Sequence, residues 1–407
     1  MSLAPVAASI TPREVPTGVR TAYSRETQAV LEALRAMAQS GNAEWRSLPP
    51  QAFRSQEIFD LEKEKIFRAG WVMIGRADQV QHPGDYMSID VVGEPLVMLR
   101  DRDGTLRVLS RVCRHRWMEV CSGSGNTKWL TCPYHAWIYN LDGTLRGAPA
   151  MDATPGFDTR EIRLPSIRHE VWQGFVYVNL DGRAEPLAPR LLPLEQAVRE
   201  FRLADWRVVK TQDYGELPWD WKVFQDNGDC YHHVGIHRET FERDYPGVGA
   251  WDSPNNGHYT LIWCRAGENN VVAGEDGKPI IRTIFKPLPG LTEDQRLNLC
   301  LFYVLPNFWV FPSPDLGLYM RVFPLGPGRL RMFLDYMVPP HVLDDPEFAE
   351  KLAQIENYAE LFNSEDTRVC AAVQRGLESA YAERGPYSKL EAHNRDFALW
   401  VARQLTA

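Results

Sequence analysis

No run of eighteen apolar residues occurs in the chain, so no segment has the length and apolarity of a bilayer-spanning helix. Cysteine is scarce as well. The seven cysteines, at 113, 121, 132, 230, 264, 300 and 370, are too unevenly spaced for a disulfide framework. They fit a reducing compartment, with thiols spent on metal or packed as small hydrophobes, and the cytoplasm is the expectation. The first twenty residues hold prolines and scattered charge without a compact apolar core, so a secretory signal is not expected. Positive charge is not in excess: the net charge of −8 argues against nucleic acid as a partner. No Gly-x-Gly-x-x-Gly follows a strand-like segment, which excludes a flavin or nicotinamide site of that type.

What is present is an ordinary globular composition, 44% hydrophobic and 24% charged, in 407 residues, which is too long for one simple core. The pattern along the chain predicts an N-terminal arm and helix over 1–48, a β-rich module over 49–182 and a second domain over 183–407. Val30, Leu31, Leu34 and Met37 recur at helical spacing, as do Leu352, Ile355, Ala359 and Phe362. Between residues 71 and 180 short strand-like runs alternate with turns. Asp103-Gly104 and Asp142-Gly143 each open the same string, Asp-Gly-Thr-Leu-Arg, which reads as a hairpin used twice. A proline-rich connector, 186–193, precedes an α+β domain: a mostly antiparallel sheet from 258 to 338, then C-terminal helices.

Two strings carry the chemistry of the β module. Cys113-Arg114-His115 and Cys132-Pro133-Tyr134-His135 supply two thiolates and two imidazoles, one of each on either loop. A Rieske [2Fe–2S] cluster takes that set, two cysteines on one iron and two histidines on the other. Zinc uses the same donor types, but favours paired cysteines and paired histidines.

A second concentration lies in Gly228-Asp229-Cys230-Tyr231-His232-His233-Val234-Gly235-Ile236-His237. His232 and His237 are expected to ligate a mononuclear iron, with a helix broken near Gly235 to bring them together. Asp229, three residues before His232, is placed to orient that imidazole. Two histidines and a carboxylate form the facial triad of non-haem Fe(II) oxygenases. Asp366 is the expected third ligand, read as lying near the start of a helix capped by Ser364, with a face running through Val369 and Val373; Glu365 is its rival. Gln225 and Tyr231 are expected to line or support the site.

These motifs together resemble the α subunits of Rieske non-haem iron oxygenases, the ring-hydroxylating and N- or O-demethylating family. The resemblance rests on Cys113-x-His115 with Cys132-x-x-His135, on Gly228-Asp229-x-Tyr231-His232-x4-His237, and on Asp366 eight residues before Gln374-Arg375-Gly376-Leu377. It implies a Rieske domain followed by a helix-grip catalytic domain, and O2 as co-substrate. It implies a homotrimer in which Asp229 links His232 to His135 of a neighbouring subunit, with a β subunit as an optional addition. Trp117 stands where the family often has Gly, and Asp226 or Gln225 where it has Glu or Asn.

With no flavin or nicotinamide site, electrons must come from NAD(P)H through a separate reductase or ferredoxin. The substrate expected is an aromatic compound, in the manner of aromatic hydrocarbon catabolism. The alternative is removal of a methyl group from an N- or O-methylated substrate, with aromatic side chains caging a quaternary ammonium. Phe224, Ile262, Trp263, Phe302, Phe308, Trp309 and Phe311 are candidates for an apolar pocket. Two rivals remain, a Rieske electron carrier and a zinc-dependent scaffold. Arg100, Arg102, Arg107, Arg111, Arg114 and Arg116 form a basic stretch that fits a docking patch for an acidic electron-transfer protein.

Overall fold

The computed structural model describes residues 23–407; the N-terminal arm expected over 1–20 lies outside them. The described chain divides into two compact units. One comprises residues 67–185, the other 23–66 together with 186–407. The division expected at 48/49 placed residues 49–66 with the β module, whereas their packing groups them with the second unit. The helix Arg25–Ser40 is capped by Ser24, whose side chain accepts from Thr27 N, and it packs on the C-terminal helix Ala392–Thr406. Lys222, fully buried, holds Glu62 at 2.7 Å and Asp220 at 2.6 Å, which ties the N-terminal helices to the catalytic region.

The first unit is built of small antiparallel sheets. Strands Leu106–Ser110, Glu94–Arg100, Asp85–Val91 and Ser124–Asn126 lie side by side in that order, and Leu130–Thr131, Ile138–Tyr139 and Leu145–Gly147 form a second sheet. Both Asp-Gly strings turn as the repeat predicts. Gly104 (φ 82°) and Gly143 (φ 87°) take the left-handed conformation, and Asp103 and Asp142 accept from Thr105 N and Thr144 N.

The second unit holds a seven-stranded antiparallel sheet. Its strand order is Arg207–Leu217, Arg329–Val338, Gly317–Gly326, Phe308–Pro312, Asn298–Val304, Tyr259–Arg265 and Ala250–Asp252. A 30-residue helix, Phe348–Leu377, lies against it: Lys210 and Tyr214 of the first strand reach Glu356 (2.7 Å) and Glu360 (3.0 Å). Ile355, Ala359, Asn363, Cys370 and Gln374 are the buried stripe of that helix. Asp366 therefore sits mid-helix, not near a capped start. Ser364 donates to Leu361 O as an ordinary in-helix hydroxyl, and Val373, 45% exposed, lies off the inward face.

Candidate metal centres

The two loops of the β module are near copies of each other. Cys113 N donates to Met118 O (2.8 Å) and Trp117 N to Cys113 O (3.1 Å); Cys132 N donates to Trp137 O (2.8 Å) and Ala136 N to Cys132 O (3.0 Å). Each turn closes through a residue with positive φ, Trp117 at 61° and Ala136 at 55°. That conformation suits glycine, which accounts for the residue the resemblance leads one to expect at 117.

The turns bring the four donors together. The His115 and His135 rings lie 4.6 Å apart, and His115 stacks on Trp137 at 4.7 Å. Cys113 and Cys132 are buried, with the Cys113 sulfur 3.2 Å from the Tyr139 hydroxyl. The Nδ1 atoms of His115 and His135 are buried without a hydrogen-bond partner. Two buried thiols and two orphaned imidazole nitrogens on paired loops are groups that a metal cluster satisfies, so the donor set fits a Rieske [2Fe–2S] cluster. Burial, then the charges of His115 and Arg116, lower the His135 pKa and favour the neutral ring that ligates.

In the second unit the helix Trp221–Asp226 ends before the histidines, so residues 228–237 are turns and not the broken helix expected. Gly228 sets this geometry: a Cβ there would meet the Tyr303 hydroxyl at 2.7 Å and the Trp309 ring at 2.9 Å. Tyr303 donates to the Gly228 carbonyl. Two groups of donors result. Cys230, His233, His237 and Asp366 converge in one; Asp229, His232 and Glu391 form the other.

In the first group His237 Nε2 lies 3.1 Å from His233 Nε2 and 3.0 Å from Asp366, and His233 Nε2 is 3.6 Å from Asp366. Metal–donor bonds of about 2.1 Å place neighbouring octahedral donors about 3.0 Å apart, so these spacings fit a two-histidine, one-carboxylate metal site. Each imidazole is held from behind. His233 Nδ1 faces Asp229 (3.0 Å) and His237 Nδ1 faces Glu365 (2.8 Å), which also accepts from Thr240 (2.6 Å). Asn227 donates to Asp366 at 2.8 Å.

Burial would lower the imidazole pKa values, but Asp366 and, for His233, Asp229 outweigh it, raising His237 to about 10 and His233 to about 12. Burial opposes the carboxylate shifts too, yet hydrogen bonds from the imidazoles leave Asp366 and Asp229 low. A pocket that holds protons so firmly carries an excess of negative charge, the condition a cation relieves.

The structure brings the expected His237 and Asp366 together at 3.0 Å and places Asp229 behind His233. Expectation and structure part over His232, whose Nδ1 lies 3.3 Å from Asp229 and whose Nε2 contacts Ser388, outside the group containing His237. His233 stands in that group with His237 and Asp366. Helical spacing does not bring Cys230, His233 and Asn227 beside His237 and Asp366, because the segment that carries them is all turns. Gln225 is engaged in the sheet, donating to Pro306 O and accepting from Trp309, both at 2.6 Å. Tyr231 is packed away, bonded to Leu390 O and His393.

A cavity of about 560 Å³ adjoins this centre. Phe362, one turn before Asp366, stacks on His237 at 4.5 Å and lines the cavity together with Phe241, Tyr245, Phe311 and Tyr358. Of the aromatic candidates named from sequence only Phe311 reaches it. Phe224 packs on Trp309 and Phe302 on Phe308 within the core. Part of the basic stretch is paired within the protein: Arg107 with Asp101, and the buried Arg111 with Asp90 and Glu119. Arg100 and Arg102 bond to backbone carbonyls. Arg114 and Arg116 remain exposed at the cluster loop.

A cluster-binding β module joined to a catalytic domain with a two-histidine, one-carboxylate centre defines a Rieske-type non-haem iron oxygenase. The chain belongs to the ring hydroxylating alpha subunit family, matching its catalytic domain over residues 203–407 and the Rieske [2Fe-2S] domain over 70–162. It is 30% identical over 355 residues to the carnitine monooxygenase oxygenase subunit of Acinetobacter pittii, covering 82% of this chain and 85% of that one. It is 26% identical to the glycine betaine monooxygenase oxygenase subunit of Chromohalobacter salexigens, covering 88% and 85%. The choline monooxygenase of Spinacia oleracea is also 26% identical, over 88% and 78%. Among solved structures, the quaternary ammonium Rieske monooxygenase CntA with L-carnitine superimposes with a TM-score of 0.74 at 25% identity, covering 91% of this chain and 99% of that chain. Naphthalene 1,2-dioxygenase from Rhodococcus shares the fold, with a TM-score of 0.77 at 21% identity over 94% and 99%. No helix among the described residues is long and apolar enough to cross a membrane.

Proposed function

We propose that this protein is the oxygenase component of a Rieske monooxygenase that oxidises an N-methyl group of a quaternary ammonium compound. The observation that carries the reading is the aromatic wall of the cavity joined to the iron site through Phe362 and His237. Aromatic faces attract a quaternary ammonium, which has no N–H to donate in a hydrogen bond and whose positive charge is met by the negative ring faces. Phe241 stands 5.4 Å from Tyr245 and 6.1 Å from Phe362, so three rings share one side of the cavity. The named activities of the relatives support the same class, and they favour it over the aromatic substrate read first from sequence.

Cys113, His115, Cys132 and His135 would hold the cluster. His237, Asp366 and the imidazole oriented by Asp229 would hold the iron: His233 by the geometry, His232 by the motif spacing. Together these groups supply one-electron transfer and O2 activation when bound. The protein's own part is to orient and to exclude water. Asp229 and Glu365 fix the ring orientations of the imidazoles, and the apolar and aromatic walls would hold the methyl group on the side of the cavity that adjoins His237. The overall reaction takes the substrate methyl, O2, two electrons and two protons to an N-hydroxymethyl group and water. That group then loses formaldehyde and a proton, leaving the tertiary amine.

The electrons would come from NAD(P)H through a separate reductase or ferredoxin, since the chain has no nucleotide-binding motif of its own. The family resemblance supports a homotrimer with Asp229 reaching a neighbour's His135. The test is product analysis with NADH and a surrogate reductase across quaternary ammonium compounds and simple aromatics. Formaldehyde from the first group supports the reading; a hydroxylated ring from the second, without formaldehyde, replaces it with ring hydroxylation.

A further inference from the structure

Four charged side chains line the cavity, and three are accounted for within the protein. Arg243 pairs with Asp244 at 2.9 Å. Asp315, buried, accepts from the Ile284 and Phe285 amides at 2.8 Å and from the Ser313 hydroxyl at 3.0 Å. The fourth is Arg282, directly after the strand Pro279–Ile281. Its guanidinium has one long hydrogen bond, from Nη2 to Asn269 O at 3.4 Å, and no carboxylate partner among the described residues. An exposed arginine held near an apolar wall without an anion keeps a planar fork free for a bidentate carboxylate.

We infer that Arg282 binds the carboxylate of a zwitterionic substrate whose quaternary ammonium rests against the aromatic wall at Phe362. This rests on the N-methyl oxidation reading and narrows it to betaine-like compounds. The charges agree. With Arg243 and Asp244 neutralising each other and the buried Asp315 taken up by the Ile284 and Phe285 amides and Ser313, Arg282 is the charge left on the lining to meet a substrate carboxylate, while the aromatic wall meets the ammonium end. A cavity of about 560 Å³ has room for a chain joining the two ends beyond a trimethylammonium head. Choline, with a hydroxyl in place of the carboxylate, would leave Arg282 unpaired.

The test uses the cluster- and iron-loaded enzyme with a reductase. Formaldehyde is followed with glycine betaine, γ-butyrobetaine and choline, and binding of γ-butyrobetaine is measured separately by calorimetry. Arg282→Met should raise KM for the two carboxylates roughly tenfold to a hundredfold, the scale of a lost charged hydrogen-bond pair, with kcat held and the choline KM unchanged. Arg282→Lys should recover part of the loss, as a point charge replaces the fork. Equal KM changes for all three compounds, or none, would overturn the subsite while leaving N-methyl oxidation intact. Binding of γ-butyrobetaine that depends on Arg282 without formaldehyde from any compound would keep the subsite and reject the reaction.

Discussion

Glu365 and Asp366, neighbours on one helix, take opposite nitrogens of His237: Glu365 faces Nδ1 at 2.8 Å and Asp366 faces Nε2 at 3.0 Å. The carboxylate on Nε2 shares that side with His233 and Cys230, where a metal would sit. The one on Nδ1 orients the ring from outside. The two variants should therefore differ in kind. Asp366→Ala should keep the Rieske absorbance but lose mononuclear iron and product. Glu365→Gln should retain a site with iron affinity or activity reduced about tenfold to a hundredfold. Metal analysis beside the visible spectrum checks both, and full activity in Asp366→Ala would move the ligand elsewhere.

Adjacent histidines compete for one coordination position. The geometry expects His233→Ala to lose the mononuclear iron and His232→Ala to keep most of it. The opposite outcome would assign the position to His232, as the Asp229-x-x-His232-x4-His237 spacing reads, and require the turns at 230–236 to re-register when metal binds. Iron per chain in the two purified variants decides it.

Arg114 and Arg116 flank the cluster beside Trp117, which is 80% exposed, and Arg116 lies over the Tyr134 ring at 5.5 Å. An acidic electron-transfer partner would be steered to that face by charge. Reduction of the cluster by the partner should slow as salt rises, and Arg114→Glu should slow it at low salt by roughly tenfold. A rate indifferent to salt in both proteins would remove charge from the docking.

Glu62 lies in a fully buried cluster with Lys222 and Asp220. Burial and the Asp220 carboxylate push its pKa up to about 7, against the pull of Lys222. A carboxyl raised above its unfolded value stabilises below that value and loses the contribution as pH rises through the folded pKa. Glu62→Gln should therefore gain on the wild type between pH 5 and 8, by roughly 1–3 kcal/mol. Denaturant titrations of both proteins at the two pH values check this; a constant difference would mean that Glu62 does not titrate in that window.

The cluster ligands and the order of the domains were legible because they depend on local patterns: Cys-x-His and Cys-x-x-His on hairpins, alternation in strands, a 3.6-residue period in helices. The second metal site was legible as a set of residue types but not as a geometry. Gly228 packs beneath Tyr303 and Trp309, which are about 75 and 80 residues away, a long-range contact that no local pattern in the 228–237 segment shows. Asp366 was singled out by its position before Gln374-Arg375-Gly376-Leu377, while its helix begins seventeen residues earlier than the local cap signal suggests. The substrate cavity was least legible. Its walls come from turns, strands and a helix far apart in sequence, and aromatic content alone does not separate Phe311 from the core rings beside it.

A single turnover tests the central claim most directly. Protein with its cluster reduced is mixed with a quaternary ammonium substrate and O2, and cluster colour and formaldehyde are followed together in the wild type and in Asp229→Asn. The wild type should reoxidise its cluster as formaldehyde appears. Asp229→Asn, folded and equally reducible, should reoxidise much more slowly with little formaldehyde, because the carboxylate proposed to link the two centres is gone. Wild-type reoxidation that ignores substrate and yields no oxidised product would contradict the account and leave an electron carrier.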